Sequence, residues 1–282
     1  MTLREIERRF ARARLSYGHG THDAHGEAVW VHSRVKDKAL LETIVGRRIR
    51  ERIPLAYLLN EAWLDGRRFY VDRRVIVPRS FISELLRNRL RPWLERPVRR
   101  ALDLCTGSGC LAVLVASAFP RARIDASDLS RDALEVARIN IRRYRLTRRV
   151  RAFRSNLFES LKGRTYDLIV SNPPYVDART MRRLPPEYHY EPRLALAAGA
   201  DGLVFVRRIL SKAKRHLNPL GLLVCEVGDA RRALERAYPR LPFAWPETTD
   251  PGTVFVLTRE QLCGARTGAA TRTRPRRARA PR

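Results

Sequence analysis

The sequence predicts an α/β protein, a mostly parallel sheet with helices on both faces, preceded by a small helical domain and a β-hairpin linker. Three observations predict it. From about Val98 onward short apolar runs alternate with longer helical patterns, and such alternation requires crossover connections and hence a parallel sheet. Before residue 60 the apolar residues recur at helical spacing. Between the two, Asp65-Gly66 separates Ala62-Trp63-Leu64 from the alternating Phe69 and Val71, the strongest short-range signal for a hairpin.

Thr2 with Glu5 three residues on reads as a capping box, opening an amphipathic helix expected to run to near Gly18. Val29, Val31, Val35, Leu40, Leu41, Ile44, Val45 and Ile49 give a second helical region over 27–53. The helical domain is therefore assigned to 1–60. The hairpin and a helical segment from Phe81 to Arg91, bounded by Pro92 and Pro97, form a linker over 61–97. The main domain spans 98–262, with strands expected at 101–104, 123–127, 150–154, 166–171, 222–227 and 253–258, and helices at 110–119, 131–144 and 203–217. Residues 263–282 carry Arg, Ala, Thr and Pro without a core-forming pattern and are expected to be a disordered tail.

A chain of 282 residues with 44% apolar content can bury one large core and a smaller one. Its 57 basic against 29 acidic residues leave a formal charge of +28, which favours polyanionic surroundings such as RNA, ribosomes or DNA. Nearly all the basic residues are Arg, and seven lie between Gly264 and Arg282. Cys105, Cys110, Cys225 and Cys263 form no C-x-x-C pair, which fits a reducing cytoplasm. Met1 to Phe10 is charged throughout, and no run approaches the roughly 18 apolar residues of a membrane span, so neither export nor insertion is expected. His19, His22, His25 and His32 lack cysteine partners and a metal-ligand spacing, which points to solvent-facing or capping roles rather than zinc.

Leu102-Asp103-Leu104-Cys105-Thr106-Gly107-Ser108-Gly109 sets a glycine turn directly after a buried strand and before a helix, where glycine lets backbone approach a ligand closely. That is the carboxyl edge of a parallel sheet, where such folds bind ligands. The next strand ends at Asp128, about 20 residues on, where a carboxylate can accept hydrogen bonds from ribose hydroxyls. Leu111 and Ala112 occupy the helix where a dinucleotide fingerprint has its third glycine, which disfavours a dehydrogenase. Without a ligand, Gly107 and Gly109 would be a tight turn and Asp128 a helix N-terminal carboxylate.

Tyr166 to Ser171 is a buried strand running into Asn172-Pro173-Pro174-Tyr175, at the same sheet edge. An amide nitrogen is a poor nucleophile because its lone pair is delocalised, so a site that alkylates it must present the NH2 group in line with the leaving methyl. The Asn172 side-chain oxygen and the Pro173 carbonyl can each accept one of its hydrogens. The prolines stiffen the backbone, and the Tyr175 ring can lie against the planar acceptor. A plain Asn-Pro turn with a core tyrosine is the bland alternative.

The glycine turn, Asp128, Asn-Pro-Pro-Tyr and the helical N-terminal domain together resemble the protein glutamine N5-methyltransferases over roughly Arg4 to Leu262. Tyr17-Gly18-His19-Gly20-Thr21, the run from Arg52 to Leu58, Phe69-Tyr70-Val71-Asp72, Val77-Pro78-Arg79-Ser80, Leu184 to Tyr188 with Glu191-Pro192, and Cys225-Glu226-Val227-Gly228 look like the branch acting on large-subunit ribosomal protein three. The branch acting on release factors typically has Arg-Pro-Glu-Thr where this chain has Arg79-Ser80-Phe81-Ile82.

The resemblance implies a Rossmann-like class I methyltransferase domain with a seven-stranded, mostly parallel sheet, S-adenosylmethionine as cofactor, a substrate-recognising N-terminal domain, and possible rRNA or ribosome contact through the basic surface. It places Asp103, Cys105, Thr106, Gly107, Ser108, Gly109, Asp128, Leu129, Asn156, Leu157 and Asn172 on the cofactor, and Asn172, Pro173, Pro174 and Tyr175 at the acceptor. One departure is Ser155-Asn156-Leu157-Phe158, where relatives usually show Ser-Asp-Leu-Phe. Asn156 accepts through an uncharged oxygen, so cofactor binding is expected to be weaker by about 1 kcal/mol, the scale of one hydrogen bond. A DNA adenine methyltransferase presents the same kind of NH2 group to a similar motif, but the chain has little room for a target-recognition domain. A non-catalytic RNA-binding protein would not need the intact Gly107, Gly109, Asp128 and Asn172.

Overall fold

The computed structural model describes residues 1–94 and 96–264. In chain order the elements are α1 (Leu3–Arg12), α2 (Ala24–Arg34), α3 (Lys38–Arg50), α4 (Leu55–Leu59), β1 (Ala62–Leu64), β2 (Arg67–Phe69), α5 (Ile82–Arg87), β3 (Arg100–Leu104), α6 (Cys110–Ala118), β4 (Arg123–Asp128), α7 (Arg131–Arg143), β5 (Val150–Arg154), β6 (Tyr166–Ser171), α8 (Ala178–Met181), α9 (Val204–Ala213), β7 (Leu217–Glu226), α10 (Arg231–Ala237), β8 (Val254–Thr258) and α11 (Arg259–Gly264).

The main sheet has the order β5-β4-β3-β6-β7-β8. The first five strands are parallel and β8 is antiparallel to β7. Alternate residues feed two cores, as the pleat requires. Ala101, Ile124, Leu168, Val170, Val224 and Val256 face α5, α6 and α7, whereas Leu102, Leu104, Ile169, Leu223, Phe255 and Leu257 face α9, α10 and α11. Six strands, among the described residues, replace the seven expected. Leu241-Pro242-Phe243-Ala244-Trp245-Pro246 comes nearest to a seventh, yet it makes only the bridge Ala244–Val256. Pro242 and Pro246 have no N–H to give a ladder, which stops it there.

The N-terminal helices enclose their own core of Ile6, Phe10, Val31, Ile44, Val45 and Leu55. The capping box at Thr2 and Glu5 forms as expected, but α1 stops at Arg12 rather than near Gly18. Tertiary bonds capture the following backbone: Arg52 donates to the Ala13 and Arg14 carbonyls, Arg48 to Ser16 O, and Ser16 N to Glu187. The helical run over 27–53 divides at Val35–Asp37, where Asp37 caps α3 by accepting from Leu40 N at 2.7 Å.

The hairpin pairs Ala62 with Phe69 and Leu64 with Arg67 around Asp65-Gly66. The helix expected over Phe81–Arg91 is shorter, because Arg89 and Leu90 adopt left-handed backbone. Its Ile82, Leu85 and Leu86 pack into the sheet core beside α6. Among the described residues no helix is long and apolar enough to cross a membrane. The Arg-rich stretch expected to be a tail lies outside the described residues from 265 onward.

Candidate active site

β3, β4 and β6 deliver three loops to one sheet edge, and each carries part of the candidate site. The turn after β3 is built by a buried carboxyl. Asp103 is fully buried, and its Oδ2 accepts from Thr106 Oγ1 at 2.5 Å and from Ala112 N at 2.9 Å. Burial pushes its carboxyl up to about 7 despite those two bonds. Asp103 thus braces the turn from beneath, as do Thr106 and Ser108, both buried. A Cβ on Gly109, at φ 78, would lie 3.1 Å from Ala137 Cβ, so glycine there lets α6 and α7 close together. Gly107, at φ 53, has nothing within 4 Å of such a Cβ and faces open space.

Cys105, Gly107, Asp128, Leu129, Asn156, Leu157, Asn172 and Pro174 line one pocket. Of the residues expected at the cofactor, Asp103, Thr106, Ser108 and Gly109 are not in its wall. Cys105 and Leu157 both hold left-handed backbone, at φ 63 and 52, a conformation that non-glycine residues keep mainly where surrounding structure enforces it. Asp128 accepts from Gly107 N and Ser130 N, each at 2.9 Å, so it serves as a turn carboxylate while each oxygen keeps a lone pair for the pocket. Asn156 accepts from Arg208 at 2.9 Å and donates to Glu159 at 3.0 Å.

The donor set suits a nucleoside: Asp128 for ribose hydroxyls, Asn156 at the far end, and apolar walls from Leu129, Leu157 and Phe205. The open space over Gly107 gives room for close backbone approach. Phe205, Ile76, Leu194 and Ala195 are wall residues that the sequence reading missed; they come from segments whose return to this edge leaves no local pattern.

A second pocket shares Ile76, Asn172 and Ala195 with the first and is lined further by Arg79, Pro173, Tyr175 and Tyr188. Asn172 is thus the hinge between two cavities. Its Nδ2 donates to Arg79 O at 3.0 Å, which fixes the amide with Oδ1 directed away from that carbonyl. Among the described residues no donor takes Asn172 Oδ1 or the Pro173 carbonyl. Two adjacent acceptors are therefore available for one NH2 group.

Tyr175 is held by three features. Its hydroxyl lies 3.3 Å from Glu226 Oε1. A Cβ on Gly228 would sit 2.5 Å from its ring, and one on Gly202 would sit 2.4 Å from its carbonyl. Glu226 is buried and accepts from Ser80 Oγ at 2.6 Å and Phe81 N at 3.0 Å. Burial raises its carboxyl to about 7. The role of Glu226 was not visible in the sequence beyond its place in Cys225-Glu226-Val227-Gly228.

The second pocket is clasped to the N-terminal helices. Arg79 makes two 2.6 Å bonds to Glu191 and lies over the Tyr188 ring. Burial pushes the Glu191 carboxyl up, but the Arg79 charge, the hydrogen bonds from Arg79 and Val77 N, and the His19 ring together hold the group below its ordinary value. His19 is 3% exposed and packs on Tyr188 at 4.5 Å between centroids, so the solvent-facing or capping role expected of it is corrected. Burial lowers its imidazole to about 4; at 3.7 Å from a carboxylate already satisfied by Arg79 it stays neutral. Arg48, 1% exposed, bonds Glu27 and Glu187. Buried Asn140 accepts from Tyr70 N at 2.8 Å and donates to Tyr70 O and Ser108 O, each at 2.9 Å, joining linker to glycine turn.

Residues 82–184, which include the glycine turn and Asn-Pro-Pro-Tyr, match the family model described as "Methyltransferase small domain". The catalytic domain of hMettl16, in complex with MAT2A 3'UTR hairpin 1, has a similar fold, with TM-score 0.53 at 14% identity over 91% of this chain and 90% of that one. The ribosomal protein uL3 glutamine methyltransferase of Neisseria meningitidis serogroup A is 52% identical over 93% of this chain and 95% of its own. Those of Bordetella pertussis and Burkholderia pseudomallei are 48% and 44% identical, again over 93% of this chain. With relatives of that kind matched along nearly its whole length, this chain belongs to the family of ribosomal protein uL3 glutamine methyltransferases.

Proposed function

We propose that this protein transfers a methyl group from S-adenosylmethionine to the side-chain N5 of a glutamine in large-subunit ribosomal protein uL3. The observation that carries the reading is the Asn172 amide, pinned by Arg79 O so that its oxygen and the Pro173 carbonyl stand open where two pockets meet. Bound S-adenosylmethionine supplies an electrophilic sulfonium methyl. Gly107, Asp128, Asn156, Leu129 and Leu157 would hold that cofactor. The chain's own task is to aim the amide: Asn172 Oδ1 and Pro173 O each accept one N–H, which orients the nitrogen and raises its electron density. Both acceptors gain strength as positive charge develops on nitrogen. The alkylated, cationic amide is acidic enough to lose its proton to water, so no general base is required.

The relatives' names favour uL3 over release factors. The N-terminal helices, clasped to the acceptor loop through Arg48 and Glu187, are the substrate-recognition domain in this reading, with 61–97 as linker and 98–262 as catalytic domain. The enzyme works in the cytoplasm, and its basic surface meets rRNA around the substrate. The test is incubation with radiolabelled S-adenosylmethionine and an unmethylated ribosomal fraction, with Asn172→Ala as control and peptide mass spectrometry to locate the label. Label on a uL3 glutamine supports the proposal; label on release factor or DNA, or no label, refutes it.

A further inference from the structure

A broad open groove lies at the amino ends of the strands, far from the site described above. Arg123 opens β4 within this groove and Asp128 closes β4 in the cofactor pocket, so the two are separated by about 16 Å at 3.3 Å per residue. Arg100 and Arg123 are register partners on β3 and β4. Arg149, just before β5, turns its guanidinium to the carbonyls of Ala116 and Pro120, which leaves Arg100 and Arg123 as the like-charged pair on adjacent strands. Like charges directly opposite one another destabilise a sheet. Arg138 and Arg142, one turn apart on α7, and Arg148 extend the same field. The groove's single carboxylate, Asp125, is already engaged by Arg164 at 2.9 Å and by the Tyr166 hydroxyl at 2.7 Å.

Among the described residues Arg100, Arg123, Arg138, Arg142 and Arg148 are exposed and have no carboxylate partner. The apolar side chains of the groove offer no anchor, since Ile124, Ile141, Val150 and Tyr166 are each no more than 4% exposed. A protein partner needs buried apolar or aromatic anchors at the centre of its footprint; a phosphate backbone needs only spaced guanidinium groups. We propose that this groove binds the phosphate backbone of RNA, holding RNA at the face opposite the reacting centre. The proposal gives the basic-surface contact of the preceding reading a location, and rests on that reading only for the relevance of RNA.

The test measures binding of the full chain to a fluorescein-labelled oligouridine of about 20 nucleotides across a salt series. Replacing Arg123, Arg142 and Arg148 by Gln is expected to weaken binding at least about tenfold near physiological salt and to reduce the slope of log K against log salt by about 2, from roughly 0.7 per lost contact on a single strand. Lys at the same positions should retain most of the affinity. Arg100→Gln with Arg151→Gln is a second, independent variant should the first fail to fold. Affinity within about twofold of the parent in a folded variant, or polyglutamate bound as tightly as the RNA, overturns the proposal. Methylation of RNA-free uL3 by the same variants should be unchanged. Failure of the parent to methylate uL3 refutes the substrate reading and leaves the RNA measurement standing.

Discussion

Asn172→Ala removes the acceptor oxygen at the junction of the two pockets while leaving both cavities open. In the ground state the lost bond is an ordinary amide–amide hydrogen bond, worth about 1 kcal/mol net. As the methyl group transfers, the nitrogen becomes cationic and the same bond becomes charge-assisted, worth about 1.5–3 kcal/mol. At roughly 1.4 kcal/mol per tenfold this is about a 10- to 150-fold loss in kcat/KM; the excess over the ground-state bond, about 0.5–2 kcal/mol or 2- to 30-fold, falls on kcat, and poorer aiming of the amide adds to it. The expected result is a kcat/KM lower by about 10²-fold, about tenfold of it in kcat, with cofactor affinity within about threefold of the parent, measured by single-turnover transfer and by calorimetric titration. Asn172→Asp should not rescue the rate. Its second carboxylate oxygen would replace the Nδ2 that donates to Arg79 O at 3.0 Å, turning a bond into a repulsion. A raised KM with kcat within about threefold would show that Asn172 only binds the acceptor and would refute the reasoning.

Arg48→Met leaves Glu27 buried without its cation and Glu187 with Arg52 alone at 3.0 Å. It should cost about 3–5 kcal/mol in urea unfolding, and a loss under about 1 kcal/mol would show the cluster to be dispensable. Asn156→Asp alone should bring no tighter cofactor binding, because it sets a carboxylate against Glu159 Oε1, which now accepts from the Asn156 amide at 3.0 Å; combined with Glu159→Gln it should tighten binding about fivefold, the worth of one hydrogen bond, by calorimetry. A full gain from the single change would mean Glu159 is irrelevant. The His19 imidazole, lowered by burial to about 4 from 6.5, stabilises the fold fully above pH 6.5 and loses that contribution as pH falls from 6.5 through 4. Urea midpoints of the parent should therefore fall relative to His19→Phe over that range, and parallel pH curves would place His19 outside the titration.

The layered fold and the loops that line the two pockets were legible because their signals are local: a strand, a glycine turn and a helix in one stretch for the first pocket, and a strand running into Asn-Pro-Pro-Tyr for the second. The same locality explains the error at Gly18, since α1 has a readable start at Thr2 but is ended by Arg48, Arg52 and Glu187, all distant in sequence. The seventh strand failed for a reason that was written in Pro242 and Pro246. Asp103 shows the limit of motif reading: it stands beside the glycine turn in sequence, yet it holds the turn from below rather than lining the pocket. Phe205, Ile76 and Leu194 reach the wall of the first pocket only through the tertiary return of their segments, for which a single chain carries no periodic signal.

Asn140 has a consequence for cooperativity. One amide grips the backbone of Tyr70 in the linker and of Ser108 in the glycine turn, so order in either segment lowers the entropy cost of order in the other. In the proposed reading, ligand at the glycine turn and order in the linker would then be energetically coupled, and by linkage the coupling would be reciprocal: whatever cofactor adds to the ordering of the linker, an ordered linker adds to the affinity for cofactor.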